Sequence, residues 1–374
     1  MQRPSARPWY LRKTGQLVIG IFVLLVSTIT PTVSFARQAA AGDDSLPAQA
    51  QAWPVISKSN LDQLQPVYSL DDHTQGIAAI AISPDGELLA SGSSDGELRI
   101  WEIATGETVV SIQAHEWALN SLDWSPDGST IASSTTDRFV KLWDPSNGEL
   151  RDTIEARLMD YVLKVQFTPD GDHLAIAGPE CLVVLRDAEN GILYKTYHQR
   201  GCRPRSGGSI YSWGIDFDSA SDELLLGFSQ PACNCGSIQR WGMEVIATNE
   251  LVYGYNLPVD DLVLSPDGKD IAITMVATSF IRVIDAESIY PLRDLHGHHF
   301  RVNSVNYSPD GDLLASGSND RRVGLWDTES GELLRFITGH SDAVTQVQFS
   351  PDATYLVSSS KDGLVIVWAV TPEG

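Results

Sequence analysis

Basic side chains are scarce in this sequence. It contains 26 Lys and Arg against 48 Asp and Glu in 374 residues, which gives a formal net charge of −22. A nucleic-acid binder needs clustered Lys and Arg to replace the counterions of a phosphate backbone, and an anionic membrane surface attracts the same residues. The composition therefore argues against both kinds of partner.

Cysteine is also scarce, with only four in the chain. None precedes Cys181, which excludes a lipidated N-terminal cysteine. With 43% hydrophobic and 20% charged residues, however, the chain is too apolar for general disorder and can bury a large core.

Residues 1–36 contain no acidic side chain. Basic residues come first, an apolar run follows from Leu17 to Val26, and the segment ends in Ser34-Phe35-Ala36. This order predicts a secretory signal peptide cleaved after Ala36, or alternatively an uncleaved signal anchor. Either would place the remaining chain outside the cytoplasm, as a secreted, periplasmic or cell-surface protein. Residues 37–59 show no apolar period and are predicted to be a flexible linker, and residues 60–374 are the predicted folded domain.

A short turn motif recurs along the folded part. Ser-Pro-Asp-Gly, or a close variant, places its proline at positions 84, 126, 169, 266, 309 and 351, at intervals of 42, 43, 97, 43 and 42 residues. The long interval contains one further copy, in which residues 218–221 replace the turn. The chain therefore has seven units of about 43 residues.

Each unit contains four short apolar runs separated by turns, as in residues 77–83, 88–93, 98–103 and 108–113. Pro presets the backbone for a type I turn, and Gly accepts the left-handed position that follows. The pattern predicts an all-β, seven-bladed β-propeller with four-stranded antiparallel blades. Because the chain ends after the third strand of the last unit, an N-terminal strand at 66–70 is expected to close the last blade.

The units resemble WD-repeat (WD40) blades. Trp143-Asp144 and Trp326-Asp327 stand at the signature place, and Gly297-His298 and Gly339-His340 open later units. In four units a His precedes an Asp by 22 residues, and that Asp precedes a Trp by six. The members of this pattern are His73, Asp95 and Trp101; His115, Asp137 and Trp143; His298, Asp320 and Trp326; and His340, Asp362 and Trp368.

The resemblance implies that these residues form a buried hydrogen-bond network with a strand serine. The serines stand four residues before each Asp and are Ser91, Ser133, Ser316 and Ser358, or alternatively the same-face residues two positions further on. Buried imidazole, carboxylate, hydroxyl and indole groups are costly unless they pair with one another. The network is therefore interpreted as structural rather than catalytic. Three units depart from the pattern: Arg186 and Ile284 replace the tryptophan, and Trp241 lacks a matching His and Asp.

Strand order predicts two chemically different faces. The turns after the first and third strands hold many acids and one base, Lys269, whereas the loops after the second and fourth strands, here called the mixed face, carry arginines and aromatics. Arg and aromatic residues are the usual anchors of protein interfaces. The candidate partner-binding residues on the mixed face are Trp117, Tyr161, Tyr211, Trp213, Phe300, Arg301, Arg321 and Arg322.

The four cysteines are expected on the mixed face. Two disulfides are favoured, because a direct Cys233–Cys235 bridge would be strained, and Cys181 and Cys202 would then each join one of that pair. A four-thiolate zinc site remains an alternative, although the paired Cys-x-x-Cys spacing is absent. No metal or cofactor is predicted.

The sequence thus predicts a non-catalytic, extracytoplasmic WD40-repeat scaffold that binds protein or peptide partners through its loop face. The alternative is an extracytoplasmic propeller enzyme, or a sensor of carbohydrate or another ligand, that uses the central channel. No acid/base pair in the sequence identifies a reaction for that alternative.

Overall fold

The computed structural model describes residues 53–156, 162–178, 182–198, 211–218, 223–230, 235–242, 251–255, 259–288 and 290–371. All of them lie within one compact unit, Ala50–Gly374. Apart from one 3₁₀ turn at Leu61–Gln63, the regular structure of these residues is β-strand.

The first fourteen strands in chain order are β1 (Leu64–Leu70), β2 (Ile77–Ile82), β3 (Leu88–Ser93), β4 (Glu97–Glu102), β5 (Glu107–Gln113), β6 (Leu119–Trp124), β7 (Ile131–Thr135), β8 (Phe139–Trp143), β9 (Leu150–Glu155), β10 (Lys164–Phe167), β11 (His173–Ala177), β12 (Leu182–Asp187), β13 (Leu193–His198) and β14 (Tyr211–Asp218). The remaining strands are β15 (Glu223–Gln230), β16 (Cys235–Gly242), β17 (Leu251–Tyr255), β18 (Val259–Leu264), β19 (Asp270–Met275), β20 (Phe280–Asp285), β21 (Pro291–His296), β22 (Val302–Tyr307), β23 (Leu313–Ser318), β24 (Arg322–Asp327), β25 (Leu333–Thr338), β26 (Val344–Phe349), β27 (Tyr355–Ser360) and β28 (Val365–Val370).

These strands form four-stranded antiparallel sheets, as the sequence predicts. Consecutive strands pair in the sheets β2–β5, β6–β9, β10–β13, β14–β17, β18–β21 and β22–β25, which are called the first to sixth sheets below. A further sheet, the seventh, joins β26, β27 and β28 to β1. Side chains are described along the strands of six sheets, whereas the sheet of β14–β17 is described mainly by its backbone pairing.

The last sheet takes its outer strand from the start of the folded chain. β1 pairs antiparallel with β28, in a register that places Leu64 opposite Val370 and Leu70 opposite Val365. This pairing satisfies the edge of β28 and links the two ends of the domain. The sequence-based expectation that the segment 66–70 supplies this strand is confirmed by the pairing.

The first strand of each sheet contacts the first strand of the next, and β26 contacts β2. Apolar side chains fill the spaces between neighbouring sheets. One such cluster joins Leu89 and Trp101 of the first sheet to Val357 and Val367 of the seventh. Because each sheet buries its faces against its neighbours, no sheet forms a core alone.

The first turn of each unit is held by its own polar side chains. In the second sheet, Ser125 Oγ donates to Asp127 at 2.6 Å and accepts from the backbone N–H of Thr130 at 2.9 Å. Gly128 adopts a φ of +72°, in the left-handed region that favours glycine. The recurring Ser-Pro-Asp-Gly sequence is therefore explained by local hydrogen bonds and backbone geometry.

The described part of the predicted linker, residues 53–59, packs against the folded domain. Ile56 is buried, and its N–H donates to the carbonyl of Ala353 at 2.8 Å. The ring of Trp53 packs edge-on against Tyr355, with 5.8 Å between ring centroids, and Lys58 forms a 2.8 Å ion pair with Asp327. Sequence periodicity missed this segment because it packs through single anchors rather than through a repeating face.

The segment predicted as a signal peptide, residues 1–36, lies outside the described residues. Within the part of the chain that the structure describes, no helix is long and apolar enough to cross a membrane.

Candidate interaction site

Four sheets contain a buried cluster built on one serine. In the first sheet, Ser91 Oγ lies 2.7 Å from His73 Nε2 and accepts the indole N–H of Trp101 at 2.7 Å. The equivalent His–Ser and Trp–Ser distances are 2.7 and 2.7 Å at Ser133, 2.8 and 2.7 Å at Ser316, and 2.8 and 2.8 Å at Ser358. Each cluster ties the loop before a first strand to the second and third strands of the same sheet.

The carboxylate that faces the histidine differs from sheet to sheet. His298 Nδ1 lies 2.8 Å from Asp320, and His340 Nδ1 lies 3.3 Å from Asp362. In the second sheet His115 Nδ1 is 3.8 Å from Asp137, too far for a hydrogen bond. The histidine therefore has a hydrogen-bonded carboxylate in the sixth sheet but not in the second, although both sheets share the same sequence spacing.

In the first sheet the acidic partner of His73 is not the one predicted from the sequence. His73 Nδ1 lies 3.2 Å from Glu97 rather than near Asp95. Asp95 instead accepts a hydrogen bond from Thr74 Oγ1 at 3.0 Å and another from the backbone N–H of Glu97 at 3.2 Å. The longer side chain at the start of β4 reaches the imidazole while the turn aspartate holds the loop. The 22-residue spacing alone could not distinguish these two acids.

Burial governs the ionisation of the clusters. Desolvation lowers the pKa of His115 to about 4, with the nearby charge of Lys141 acting in the same direction. Desolvation also lowers the pKa of His73 and of His340. Burial alone would raise the pKa of Asp320, but the hydrogen bond and charge of His298 bring it down to about 2. The histidines of the first, second and last clusters are therefore neutral at pH 7.

A Ser–His–Asp set resembles a catalytic triad in composition, but these clusters lack access to a substrate. The side chains of His73, His115 and His298 are 0% exposed, and Ser91 and Ser133 are completely buried. Each serine hydroxyl also accepts an indole N–H, which reduces its nucleophilicity. The arrangement can hold loops in place, and it does not present a nucleophile to solvent.

Two sheets have a different residue at the position of the network tryptophan. Arg186 replaces the tryptophan of the third sheet, is buried, and donates to the carbonyls of Gly191 at 2.9 Å and Ala156 at 3.2 Å. Ile284 of the fifth sheet is buried in an apolar cluster. For Trp241 the structure describes the backbone of β16 only.

Two candidate aromatic residues are strongly exposed on the mixed face. Trp117 is 61% exposed and Phe300 is 63% exposed, and each stands two residues after a network histidine. The loop of Trp117 is fixed by the 3.1 Å hydrogen bond from His115 N–H to the Gly96 carbonyl. The carbonyl of Phe300 accepts from Ser318 Oγ at 3.2 Å.

The three candidate arginines fall into two groups. Arg301 Nε donates to Asp260 at 2.7 Å, and the guanidinium of Arg322 lies 4.3 Å from the ring centroid of Phe336 and 3.3 Å from Asp320. Both are therefore occupied by contacts within the chain. Arg321 is exposed and adopts a left-handed φ of +70°.

The other candidates lie outside what the structure describes. Tyr161, Cys181, Cys202 and Cys233 are outside the described residues, and of Tyr211, Trp213 and Cys235 only the backbone is described. No disulfide is found among the described residues, and the predicted disulfides gain no support.

The sequence analysis missed a set of polar links around the central channel. At one position of the first strand, a polar side chain accepts a backbone N–H from the first strand of the next sheet. The links are Asp123 to Phe167 at 2.6 Å, Asp216 to Leu264 at 2.8 Å, Asn306 to Phe349 at 2.8 Å and Gln348 to Ile82 at 3.2 Å. The sequence signal was a polar residue directly before an aromatic one near the end of each of these four strands.

These channel groups are buried, and burial and neighbouring charges change their pKa values. Burial raises the pKa of Asp123 to about 7 and raises that of Asp216. Lys164 Nζ lies 3.3 Å from Asp261 and contributes positive charge to the same wall. Two cavities lined by the first strands measure about 260 and 140 Å³. Within the described residues, no cluster of His, Cys, Asp and Glu has the geometry of a metal site.

Comparison with known proteins adds the family signature. The sequence matches the family described as "WD domain, G-beta repeat" at residues 64–102, 106–144, 289–327 and 331–369. The chain contains WD40 repeats. These matches cover the four units that carry the complete His–Ser–Trp cluster, which supports placement in the WD40 β-propeller family.

Curated relatives with WD40 repeats match only parts of the chain. WD repeat-containing protein SL1-17 of Schistosoma mansoni is 28% identical over 170 residues, which are 46% of this chain and 52% of that protein. The anaphase-promoting complex subunit cdh1 of Dictyostelium discoideum is 30% identical over 140 residues, 32% of this chain and 18% of that protein. Ribosome biogenesis protein ERB1 of Debaryomyces hansenii is 60% identical over 37 residues, 10% and 5% of the respective chains. The chain thus spans about half the length of the first relative and smaller shares of the others.

The predicted extracytoplasmic location is contradicted by these relatives. Ribosome biogenesis and the anaphase-promoting complex, which their names specify, belong to the nucleus or cytoplasm. The location prediction rested on the charge and hydropathy of residues 1–36, which lie outside the described residues. The disulfide prediction assumed an oxidising compartment, and that assumption is lost together with the extracytoplasmic location.

Proposed function

We propose that this WD40-repeat chain is a non-catalytic scaffold that binds protein partners through its mixed face, with Trp117 and Phe300 as anchors. WD40 family members are generally scaffolds of this kind, and relatives such as the cdh1 subunit carry the name of a multiprotein complex. The single observation that carries the proposal is the pair of large aromatic side chains exposed on loops that the buried clusters hold in place.

The scaffold is a closed ring of seven blades in this proposal. The pairing of β1 with β28 and the contact between β26 and β2 support closure. A closed ring fixes the angular positions of all loops relative to one another. Loops on such a frame lose little conformational entropy when a partner binds.

The network residues serve the scaffold by fixing the mixed-face loops. His115 holds the loop that carries Trp117, because its ring is bonded to Ser133 and its N–H to the Gly96 carbonyl. His298 holds the loop of Phe300 through Ser316 and Asp320. An aromatic side chain on a fixed loop is pre-organised for contact, which is how interface hot spots reach high affinity.

The arginines have separate roles in the proposal. Arg321 lies exposed beside the sixth-sheet network and is available to an acidic group of a partner. Arg301 and Arg322 position the loops through Asp260, Asp320 and Phe336. Tyr161, Tyr211 and Trp213 remain proposed contacts of the same face, and the four cysteines are not part of the proposal.

The alternative, a ligand or substrate in the central channel, has less support. Asp123, Asp216 and Asn306, the polar groups best placed to recognise a ligand there, already accept backbone N–H groups across the sheet boundaries. A ligand would have to displace these links.

The proposal is tested by affinity capture with tagged wild-type chain and two matched variants. Trp117→Ala/Phe300→Ala removes the two proposed anchors, and Tyr290→Ala/Leu292→Ala removes two exposed apolar side chains that lie outside the mixed face. We expect bound proteins to be lost from the first variant and retained by the second. Equal capture by all three chains would contradict the proposed site, with circular dichroism used to verify folding.

A further inference from the structure

The loop of Phe300 and the turn between β23 and β24 form one unit of the mixed face. The backbone N–H of Asn319 in the turn donates to the carbonyl of Arg301 at 2.9 Å, and Ser318 Oγ donates to the carbonyl of Phe300 at 3.2 Å. The loop that exposes the ring of Phe300 and the turn that ends in Arg321 are therefore fixed to each other.

Arg321 has a backbone conformation that two other units give to glycine. It follows the network aspartate of its unit, as Gly96 and Gly363 do in the first and seventh sheets. Its φ of +70° compares with +85° and +86° for those glycines. The left-handed region is unfavourable for a residue that has a Cβ, and among the described residues Ala277 and Ala353 are the other non-glycine residues found there. The backbone of the turn therefore favours glycine, and an arginine at this position points to a use of its side chain.

The guanidinium of Arg321 has no partner within the described part of the chain. Arg321 is exposed, and no hydrogen bond or ion pair from another described residue reaches its side chain. The two neighbouring arginines are paired: Arg301 Nε donates to Asp260 at 2.7 Å. Arg322 lies 3.3 Å from Asp320. Each of these two acids is matched by one arginine, which leaves the charge of Arg321 unbalanced in this unit.

The second sheet has an aromatic residue and an arginine at the same repeat positions, Trp117 and Arg138, but its charges differ. Glu116 is exposed directly before Trp117, where the sixth sheet has His299. Arg138 therefore has an exposed acid of its own unit to balance it, and it is not among the described residues with a positive φ. The second sheet thus offers an exposed ring with neither a surplus positive charge nor a strained arginine.

We propose that Phe300 and Arg321 together bind a partner segment in which an aspartate or glutamate stands next to an aliphatic or aromatic side chain. This inference rests on the proposed scaffold function and specifies the chemistry of the partner at the sixth sheet. The ring of Phe300 covers the apolar side chain, and the planar guanidinium of Arg321 donates two hydrogen bonds to the carboxylate. Charge complementarity selects the acid, because the other two arginines of the unit are already paired. The formal charge of −22 disfavours binding of the same segment elsewhere on the surface.

A displayed peptide library provides the probe. Short random peptides on phage are selected on the immobilised full chain and, in parallel, on Phe300→Ala/Arg321→Gly. We expect the wild-type chain to enrich peptides in which Asp or Glu stands next to an apolar residue, and the variant not to enrich them. An enriched peptide is then synthesised with fluorescein, together with a copy in which its acid is replaced by the amide, and the binding of both is measured by fluorescence polarisation.

Three single variants separate the two contacts. Phe300→Ala should weaken the acid peptide about tenfold at low and at high salt. Arg321→Gly should weaken it about fivefold at low salt and by a smaller factor at high salt, and it should leave the amide peptide unaffected. Arg138→Gly, the matched change in the second sheet, should leave the binding of both peptides unchanged.

The temperature of unfolding distinguishes a binding role of Arg321 from a structural one. Because glycine fits a φ of +70° better than arginine, Arg321→Gly should unfold at the same temperature as the wild type or above it, although it loses the peptide. Arg138→Gly gains no such relief and should unfold at a lower temperature. A lower unfolding temperature for Arg321→Gly would show that the arginine supports the turn and would overturn the proposal.

Further outcomes would overturn the proposal in distinguishable ways. Enrichment of uncharged apolar peptides that depend on Phe300 but not on Arg321 would reject the acidic partner and keep the mixed-face site, whereas enrichment that depends on neither residue would reject both. Sedimentation of the chain without peptide tests another occupant, since a dimer that dissociates in Arg321→Gly would assign the unit to a second copy of this acidic chain. Binding of fluorescein-labelled oligouridylate to the wild type and not to Phe300→Ala/Arg321→Gly would assign it to nucleic acid.

Discussion

The hydroxyl of Tyr355 donates a 2.7 Å hydrogen bond to the carbonyl of Gly86 and so joins the last sheet to the first. The bond is largely buried, and the ring of Tyr355 also receives Trp53. Together with the pairing of β1 and β28, it ties the beginning of the folded chain to its end.

Removing this hydroxyl should loosen the junction measurably. Tyr355→Phe keeps the ring and leaves a buried carbonyl with one partner fewer, so we expect a loss of about 1–2 kcal/mol in the free energy of unfolding by urea. Tyr68→Phe is the comparison, since Tyr68 donates to the Ala104 carbonyl at an exposed site and should cost about 0.5 kcal/mol or less. Equal effects would argue against a special role for the junction.

Two adjacent serines of β7 separate hydrogen bonding from packing. Ser133→Ala leaves the ring of His115 and the indole of Trp143 without the hydroxyl to which both are hydrogen-bonded and should cost about 2–3 kcal/mol. Ser134 is equally buried, and among the described residues nothing hydrogen-bonds to its Oγ. Ser134→Ala should therefore be neutral or slightly stabilising. Urea unfolding of both variants checks the prediction, which fails if Ser134→Ala is the more damaging change.

The buried channel carboxylate predicts a pH dependence of stability. Burial raises the pKa of Asp123 from 3.8 to about 7, so the folded state holds a proton that the unfolded state releases between these values. The contribution of the protonated Asp123 to the free energy of unfolding is complete below pH 4 and is lost as the pH rises to about 7. Asp123→Asn should remove this loss and gain about 1–3 kcal/mol over the wild type at pH 8, measured by denaturant unfolding.

An exposed turn aspartate provides the opposite control. The hydrogen bond from Ser83 lowers the pKa of Asp85, so its contribution is present above about pH 4 and lost as the pH falls below it. Asp85→Asn should therefore be the less stable variant at pH 8. If Asp123→Asn were also less stable than the wild type at pH 8, the assignment of a proton to Asp123 would be wrong.

The Trp117 loop depends on a glycine in the neighbouring turn. Gly96 adopts a φ of +85°, and a Cβ there would lie 2.3 Å from the His115 carbonyl and 2.8 Å from that of Trp117. Gly96→Ala should therefore displace the loop and cost about 1–3 kcal/mol. Gly128→Ala has a similar φ but open space around the added methyl and should cost about 1 kcal/mol. Thermal unfolding and the fluorescence of Trp117 would report both effects.

Much of the fold followed from the sequence because its signals are local. The Ser-Pro-Asp-Gly turn is closed by side chains two to five residues apart, as in Ser125 with Asp127 and Thr130, so the turn and its period are visible in a linear reading. The His, Ser and Trp that meet at Ser91 lie within one unit and were found by spacing. The choice of Glu97 over Asp95 was missed, because it depends on side-chain reach at the start of β4.

Contacts between units escaped sequence reasoning for the opposite reason. Asp123 meets the N–H of Phe167, 44 residues away, and nothing in either repeat alone indicates that pairing. Likewise, Lys58 reaches Asp327 from a segment with no repeat pattern. The location prediction failed because it rested on residues 1–36, whose composition says nothing of the folded ring.

Site-specific photo-crosslinking tests the scaffold claim most directly. A benzophenone amino acid is placed at Trp117, at Phe300 or, as a control on the opposite face, at Tyr290, and each chain is irradiated in cells of the source organism. The account predicts discrete protein adducts from the first two positions and none from the third. Adducts at all three positions in equal yield, or at neither Trp117 nor Phe300, would contradict it.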